Sequence, residues 1–268
     1  MSAADRRARF RELHQEDRLF LMPNPWDVGS ARLLERLGFP ALATTSAGFA
    51  WSLGKPDQQV TRHELVDHVA AVAAAVSIPL NVDSERLYPG EPGGIAETVR
   101  LLAEAGAAGC SIEDYNPGTG AIDDVAGAAA RVAEAADAAH EAGMVLTGRC
   151  EHHIRGVDDL GGTIQRLIAY RDAGADCLYA PGLTGLEEIR RVVDEVAAPI
   201  NVLALPAVPP MGDLEAIGVR RISTGSLLAG TAYGALVSGA QELFDEGTSH
   251  YASGNVDREL LAAAFGPE

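Results

Sequence analysis

The sequence predicts an α/β fold: a (β/α)8 TIM-type barrel in a single domain, with an N-terminal helix before it and a helical tail after it. Three observations carry this. Short apolar runs alternate with helical stretches eight times along the chain. The runs are apolar throughout rather than alternating, as in parallel strands covered on both faces. Glycine recurs where a helix hands over to a strand, as in Leu37-Gly38-Phe39-Pro40, Ala105-Gly106-Ala107, Ala173-Gly174-Ala175 and Ile217-Gly218-Val219, the place for a left-handed helix end. A doubly wound sheet is the rival arrangement. It is disfavoured because no Gly-x-Gly-x-x-Gly follows the first strand. The barrel should span 18–245 and the tail 247–268.

Residues 3–17 are polar and read as a helix. Residues 19–22 form a short strand that ends at Pro23-Asn24-Pro25-Trp26-Asp27, and Asp27 caps a helix to Leu37. Strand two is 41–45, with Ser46-Ala47-Gly48 at its tip as a turn. Thr61 and Glu64 form a capping box for the next helix. Strand three, 79–83, is followed by a helix to Ala105, and strand four begins near Gly109. The Asn116-Pro117-Gly118-Thr119-Gly120 loop leads into an Ala-rich helix to Glu141. Strand five is 144–149, and Asp158 or Asp159 starts the next helix. Strand six (177–180), a helix (186–196), strand seven (199–202), a short helix (213–217) and strand eight (219–222) follow. A long helix to Phe244 and a short one at 257–265 complete the chain.

The formal net charge of −17 argues against nucleic-acid partners and against an anionic membrane surface. It also means that an anionic substrate needs a metal ion or a placed arginine. No run is long and apolar enough for a membrane span, and no signal peptide is evident. Cys110, Cys150 and Cys177 lack metal-ligand spacing and read as free buried thiols, which suits a cytoplasmic protein. The chain has one lysine, Lys55, in a loop, so Schiff-base chemistry is disfavoured.

In a barrel the chemistry lies at the C-terminal strand ends. Those ends supply Ser46 and Gly48 from strand two with Asp57 in its loop, Asp83 and Glu85 from strand three, and Glu113 from strand four. Strand five adds Arg149 and Glu151, and strand seven adds Asn201. Hard oxygen donors without paired His or Cys favour Mg²⁺ or Mn²⁺, with Asp83, Glu85 and Glu113 as ligands. Arg149 suits a carboxylate, and the Ser46-Ala47-Gly48 backbone suits a carboxylate or oxyanion. Trp26 and Trp51 are candidates for the pocket wall or for packing. His152 and His153 are either a general acid or ordinary loop residues. Thr224-Gly225-Ser226 reads as a helix cap more than as a phosphate cradle.

The ordered phrases Pro25-Trp26-Asp27, Thr45-Ser46-Ala47-Gly48, Ser52-Leu53-Gly54-Lys55-Pro56-Asp57, Asn81-Val82-Asp83-Ser84-Glu85, Ser111-Ile112-Glu113-Asp114 and Gly148-Arg149-Cys150-Glu151 resemble the isocitrate lyase/phosphoenolpyruvate mutase superfamily over about 18–240. The resemblance implies Mg²⁺ nearest Asp83, with Glu113 and Asp57 reaching it through water and Glu85 standing where an Asp is usual. It implies that Arg149 and Ser46 to Gly48 hold the carboxylate of an α-oxo acid. Asp57, Glu113 and Arg149 are the expected catalytic residues, and Ala47, Trp26 and Asn201 are expected to help bind substrate. It also implies a homo-oligomer, tetramer or dimer, built through the C-terminal helices. One departure stands out. The family's lyases carry Lys-Lys-Cys-Gly-His after the strand-four acid, and here the loop at 116–123 has no Lys, Cys or His. The expectation is a Mg²⁺-dependent lyase that cleaves a C–C bond in a small α-oxo or 2-hydroxy acid through an enolate. The alternatives are a P–C bond enzyme (phosphonopyruvate hydrolase or phosphoenolpyruvate mutase) and a catalytically idle oxo-acid-binding barrel.

Overall fold

The computed structural model describes residues 1–266, so the last two residues of the expected tail lie outside the described part. Eight parallel strands form one sheet: β1 Phe20–Met22, β2 Leu42–Ala43, β3 Leu80–Val82, β4 Gly109–Glu113, β7 Val145–Arg149, β8 Cys177–Tyr179, β9 Ile200–Leu203 and β10 Arg221–Ser223. A separate antiparallel hairpin, β5 Tyr115–Asn116 with β6 Ala121–Ile122, follows β4. The sheet order β1-β10-β9-β8-β7-β4-β3-β2 is the chain order taken around a ring. Helices α2 Val28–Arg36, α4 Arg62–Ala75, α5 Gly94–Glu104, α6 Val125–Glu141, α7 Leu160–Asp172, α8 Leu186–Val196 and α9 Met211–Ala216 lie between the barrel strands, with the short α3 Ser46–Ser52 after β2.

The sheet is nearly closed. Between β1 and β2 no ladder forms among the described residues. The seam is held by the Ala43 N–H, 3.1 Å from the Pro23 carbonyl oxygen, and by Asn24, whose Nδ2 donates to the Thr44 carbonyl at 2.7 Å. Asn24 Oδ1 also accepts from the Thr224 and Gly225 N–H groups at 2.8 and 2.9 Å. One amide thus ties the ends of β1, β2 and β10.

Local chemistry explains the helix starts. Asp27 and Ser30 form a capping box at α2, as do Thr61 and Glu64 at α4. The sequence reading differs from the structure at two places. Ser46-Ala47-Gly48 is the first turn of α3 rather than a plain turn, because the Thr45 side chain caps it. The loop at 116–123 is the β5–β6 hairpin.

Helix α1 (Ala3–Gln15) closes the N-terminal end of the barrel. Phe10 and Leu13 pack with Phe20, Met22, Ala43 and Val145 in a small second core. His14 meets Arg221, which is 1% exposed and has no carboxylate partner among the described residues. His14 Nδ1 lies 2.8 Å from the Phe10 carbonyl oxygen and therefore carries the hydrogen, so Nε2 accepts from Arg221 Nη1 at 3.0 Å. Arg221 also donates to Asn201 Oδ1 and Thr147 Oγ1. A buried cation is tolerated when its donors are met.

Helix α10 (Leu227–Glu246) follows β10, and α11 (Arg258–Phe265) packs back on α2 of the same chain.

Burial and the Arg221 charge push His14 down to about 3. The unfolded chain therefore takes up a proton near pH 6.5 that the native chain refuses, and stability should fall as pH drops from about 6.5 towards 3. His14→Gln keeps an acceptor without titrating. Urea unfolding at pH 7 and pH 5 is expected to show a smaller acid-side loss for this variant than for the wild type; equal losses count against the assignment.

Candidate active site

A cavity of about 240 Å³ opens at the C-terminal ends of the strands. Five of its residues form one unbroken row of register partners: Glu113 beside Arg149, then Tyr179, Asn201 and Arg221, across β4, β7, β8, β9 and β10. Aligned residues on parallel strands share a face, so this row points inward as a unit.

Arg149 is the centre. Its Nη1 lies 2.6 Å from Asp83 Oδ1, its Nη2 3.2 Å from Glu113 Oε2, and its Nε and Nη2 3.1 and 2.9 Å from Glu151 Oε1. The guanidinium also sits 5.5 Å from the Tyr179 ring centre. Burial works against its charge, but Glu151, Asp83 and Glu113 outweigh this and hold it firmly cationic. Asp83 Oδ2 accepts from the Ser46 N–H and Oγ at 3.0 and 3.1 Å, joining the start of α3 to β3. Ala47 lines the cavity from the first turn of α3, where a helix leaves its N–H groups without internal acceptors.

The carboxylates outnumber the cation. Glu113, 3% exposed, is raised well above the usual carboxylate range by burial and by Glu151. Glu151 is raised by burial, with Arg149 opposing. Its N–H is held by Asp114 Oδ1 at 2.9 Å, and Asp114 is fixed in turn by Tyr170 and Arg166. Asp57 stands at the mouth. It is exposed, and partial desolvation together with the Asp83 charge raises its carboxyl above the usual range. Glu85 is pushed up to about 8 by burial and by Asp83.

A divalent cation fits this donor set in kind. The donors are all oxygens, negative charge exceeds the one guanidinium, and Glu85 Oε1 is buried with no partner among the described residues. Mg²⁺ uses one or two carboxylates and keeps several waters. The expected trio of Asp83, Glu85 and Glu113 is not a closed cage, since no group of three His, Cys, Asp or Glu among the described residues is spaced to hold an ion by itself. Glu85 has a left-handed backbone (φ 49°) and lines a small crevice behind Asp83 with Tyr88, not the main cavity.

Asp57, Ser46, Ala47, Asp83, Glu113, Arg149, Glu151 and Asn201 all line the cavity. Asn201 is committed within the barrel, donating to Ser223 Oγ at 2.8 Å and accepting from Arg221 at 2.9 Å. Gly48 and Trp26 do not line it. The Gly48 N–H goes to the Thr45 cap, and a Cβ there would lie 2.6 Å from Thr45 Cγ2 and 3.1 Å from the Ala229 and Trp26 Cβ atoms, so Gly48 lets α3 pack closely. Trp26 belongs to that packing, and Trp51 meets Tyr233 edge-on. His152 and His153 both turn to Thr163 Oγ1. The Thr224 and Gly225 N–H groups are taken by Asn24. The sequence reading missed Gln58, Tyr179, Arg155 and Arg221. Gln58 donates to Glu113 Oε1 at 3.0 Å. An arginine inside an otherwise apolar strand was the available signal for Arg221.

The chain matches the model of the family described as phosphoenolpyruvate phosphomutase over residues 10–244. It belongs to that family. The phosphoenolpyruvate phosphomutase family lies within the isocitrate lyase/phosphoenolpyruvate mutase superfamily, which places this chain among lyases and mutases. A crystal structure from Burkholderia cenocepacia J2315, provisionally described as a lyase/mutase, is 44% identical with a TM-score of 0.92, over 97% of this chain and 96% of that one. An uncharacterized Mycobacterium tuberculosis protein is 34% identical over 81% of this chain and 82% of its own. An oxaloacetate decarboxylase of Paraburkholderia xenovorans is 29% identical over 97% of this chain and 89% of its own.

Arg149→Met leaves Asp83, Glu113 and Glu151 without their cation. Removing one partner of a buried ionic group costs about 3–5 kcal/mol. Denaturant unfolding at pH 7.5 is expected to show a loss of that order, smaller at pH 5, where Glu113 and Glu151, both raised by burial, are more fully protonated. A loss independent of pH counts against the network.

Proposed function

We propose that this protein is a Mg²⁺-dependent lyase that breaks a C–C bond in a small α-oxo or 2-hydroxy acid, by decarboxylation or retro-aldol cleavage, through an enolate. The observation that supports this best is the Arg149 guanidinium held among three acids and facing the first turn of α3 across one cavity. Asp83, through which Ser46 meets Arg149, would hold the metal ion, and Glu113 and Asp57 would help hold it through water. The ion, when bound, polarises the substrate's oxo group and stabilises enolate charge. Arg149 binds the substrate carboxylate, and the Ser46 hydroxyl and Ala47 N–H, which line the same cavity, orient it. Asp57, exposed and lining the cavity, is the acid placed to return a proton to the product carbon. Such a reaction asks no Cys or His of the segment at 116–123, and that hairpin lines no part of the cavity.

P–C bond chemistry is the second reading, favoured by the description of the matching family. Incubation with Mg²⁺ and oxaloacetate, isocitrate, methylisocitrate or phosphonopyruvate separates the two. Pyruvate or glyoxylate without phosphate supports the lyase, and phosphate or phosphoenolpyruvate supports the alternative. Ligand-raised melting with no product points to an idle barrel. Asp83→Ala is expected to lower kcat/KM about 10²–10³-fold and to abolish Mg²⁺-dependent stabilisation; full activity would sink the metal assignment.

We also propose that the chain self-associates through α10. Of this helix's twenty residues only Ala229 and Gly239 are buried. Leu236, Val237, Leu243 and Phe244 are exposed, Phe244 at 91%. An apolar face of that extent marks an interface. Sedimentation of the wild type should show a dimer or tetramer that Phe244→Asp weakens; a monomeric wild type at micromolar concentration rejects the proposal.

A further inference from the structure

Arg155 has no role in the chemistry described so far, yet it lines the same cavity as Arg149. It closes a short 3₁₀ turn, His153–Arg155, where its N–H bonds to the Glu151 carbonyl oxygen at 3.0 Å and Gly156 follows with φ 78°. Its backbone position is therefore set by the strand end that carries Arg149. The two guanidinium groups approach Glu151 from opposite oxygens, Arg149 at 2.9 Å from Oε1 and Arg155 at 3.9 Å from Oε2. The longer separation is outside hydrogen-bond reach. Arg149 is paired with three acids, whereas Arg155 has no hydrogen-bonded acid among the described residues.

Tyr115 holds Arg155 in place. The guanidinium carbon lies 3.5 Å from the centre of the Tyr115 ring. Stacking on an aromatic face orients the planar fork and leaves its N–H edge open to a bidentate anion. Tyr115 opens the β5–β6 hairpin, the segment in which the sequence lacks any Lys, Cys or His. The hairpin is anchored beside Tyr115. Asp123 returns its N–H to the Asp114 carbonyl oxygen at 2.9 Å, and its carboxylate pairs with Arg86 and Arg131.

We propose that Arg155, positioned by Tyr115, is the specificity residue for a second anionic group at the far end of the substrate. The hairpin thus contributes recognition rather than proton transfer. The inference rests on the reading of Arg149 as the site for the substrate's first carboxylate. A carboxylate or a phosphonate two carbons away supplies the same bidentate chemistry.

The test compares ligands with and without the second group on the Mg²⁺-loaded protein. Calorimetry is run with oxalate, which fits the Arg149 end alone, and with 2-oxobutanoate, oxaloacetate and phosphonopyruvate. Arg155→Gln is expected to weaken oxaloacetate or phosphonopyruvate about 10- to 100-fold, the worth of one charge-assisted hydrogen-bonded pair. Oxalate and 2-oxobutanoate should change less than about 2-fold, on the same scale. The ligand that loses more identifies the terminal group. Where turnover is seen, the loss should fall on KM rather than kcat. Tyr115→Phe should keep the discrimination and Tyr115→Ala should lose it. Equal weakening of all four ligands, or none, overturns the proposal. Binding that depends on Arg155 without turnover of any oxo acid would overturn the lyase reading and leave this inference standing.

Discussion

One guanidinium ties together the acids that three different strand ends bring to one place. Arg149 reaches Asp83 on the β3 side, Glu113 at the end of β4 and Glu151 just past its own strand, and each of these acids is built into the frame. Asp83 is clamped by Ser46, Glu113 by Gln58, and Glu151 by the Asp114 carboxylate. The chain can hold so much buried negative charge because Arg149 cannot lose its proton in this setting. The excess of carboxylates leaves repulsion that a single arginine only partly offsets.

A second arginine solves a different problem at the other end of the barrel. Arg221 closes the register row that Glu113 begins, but it is met by neutral acceptors, one of them a histidine from a helix outside the barrel. Helix α1 therefore does more than cover apolar strand ends. It supplies the acceptor that lets a positive charge remain in the floor of the cavity, where it adds to the field felt by any anion above.

The fold was legible because its signals are local and repeated: apolar strand runs, glycine at helix ends, a helix cap at Asp27 and a capping box at Thr61. The acids were legible because each ends an apolar run. What stayed hidden depended on contacts between distant segments. Gly48 looked like part of an anion-holding turn, yet its N–H serves the Thr45 cap and its missing side chain serves helix packing. Glu85 is two residues from Asp83, but a left-handed backbone turns it out of the cavity. Asn24 and the Thr224–Ser226 segment read as separate loops and prove to be one junction. Arg155 and Tyr115, forty residues apart, meet only because the hairpin folds back over the β7 end.

The incomplete closure between β1 and β2 bears on how the barrel moves. Strand β2 has two residues, a ladder to β3 on one side, and little beyond one backbone bond and the Asn24 amide on the other. Of all the barrel strands it has the least holding it, so its amides should exchange with solvent before those of β4 or β7. It is also the strand that leads into Ser46 and Ala47. A ligand spanning from that helix start to Arg149 would cross from the loosest stave of the barrel to one of the tightest, and in doing so act as the hoop that the backbone leaves out.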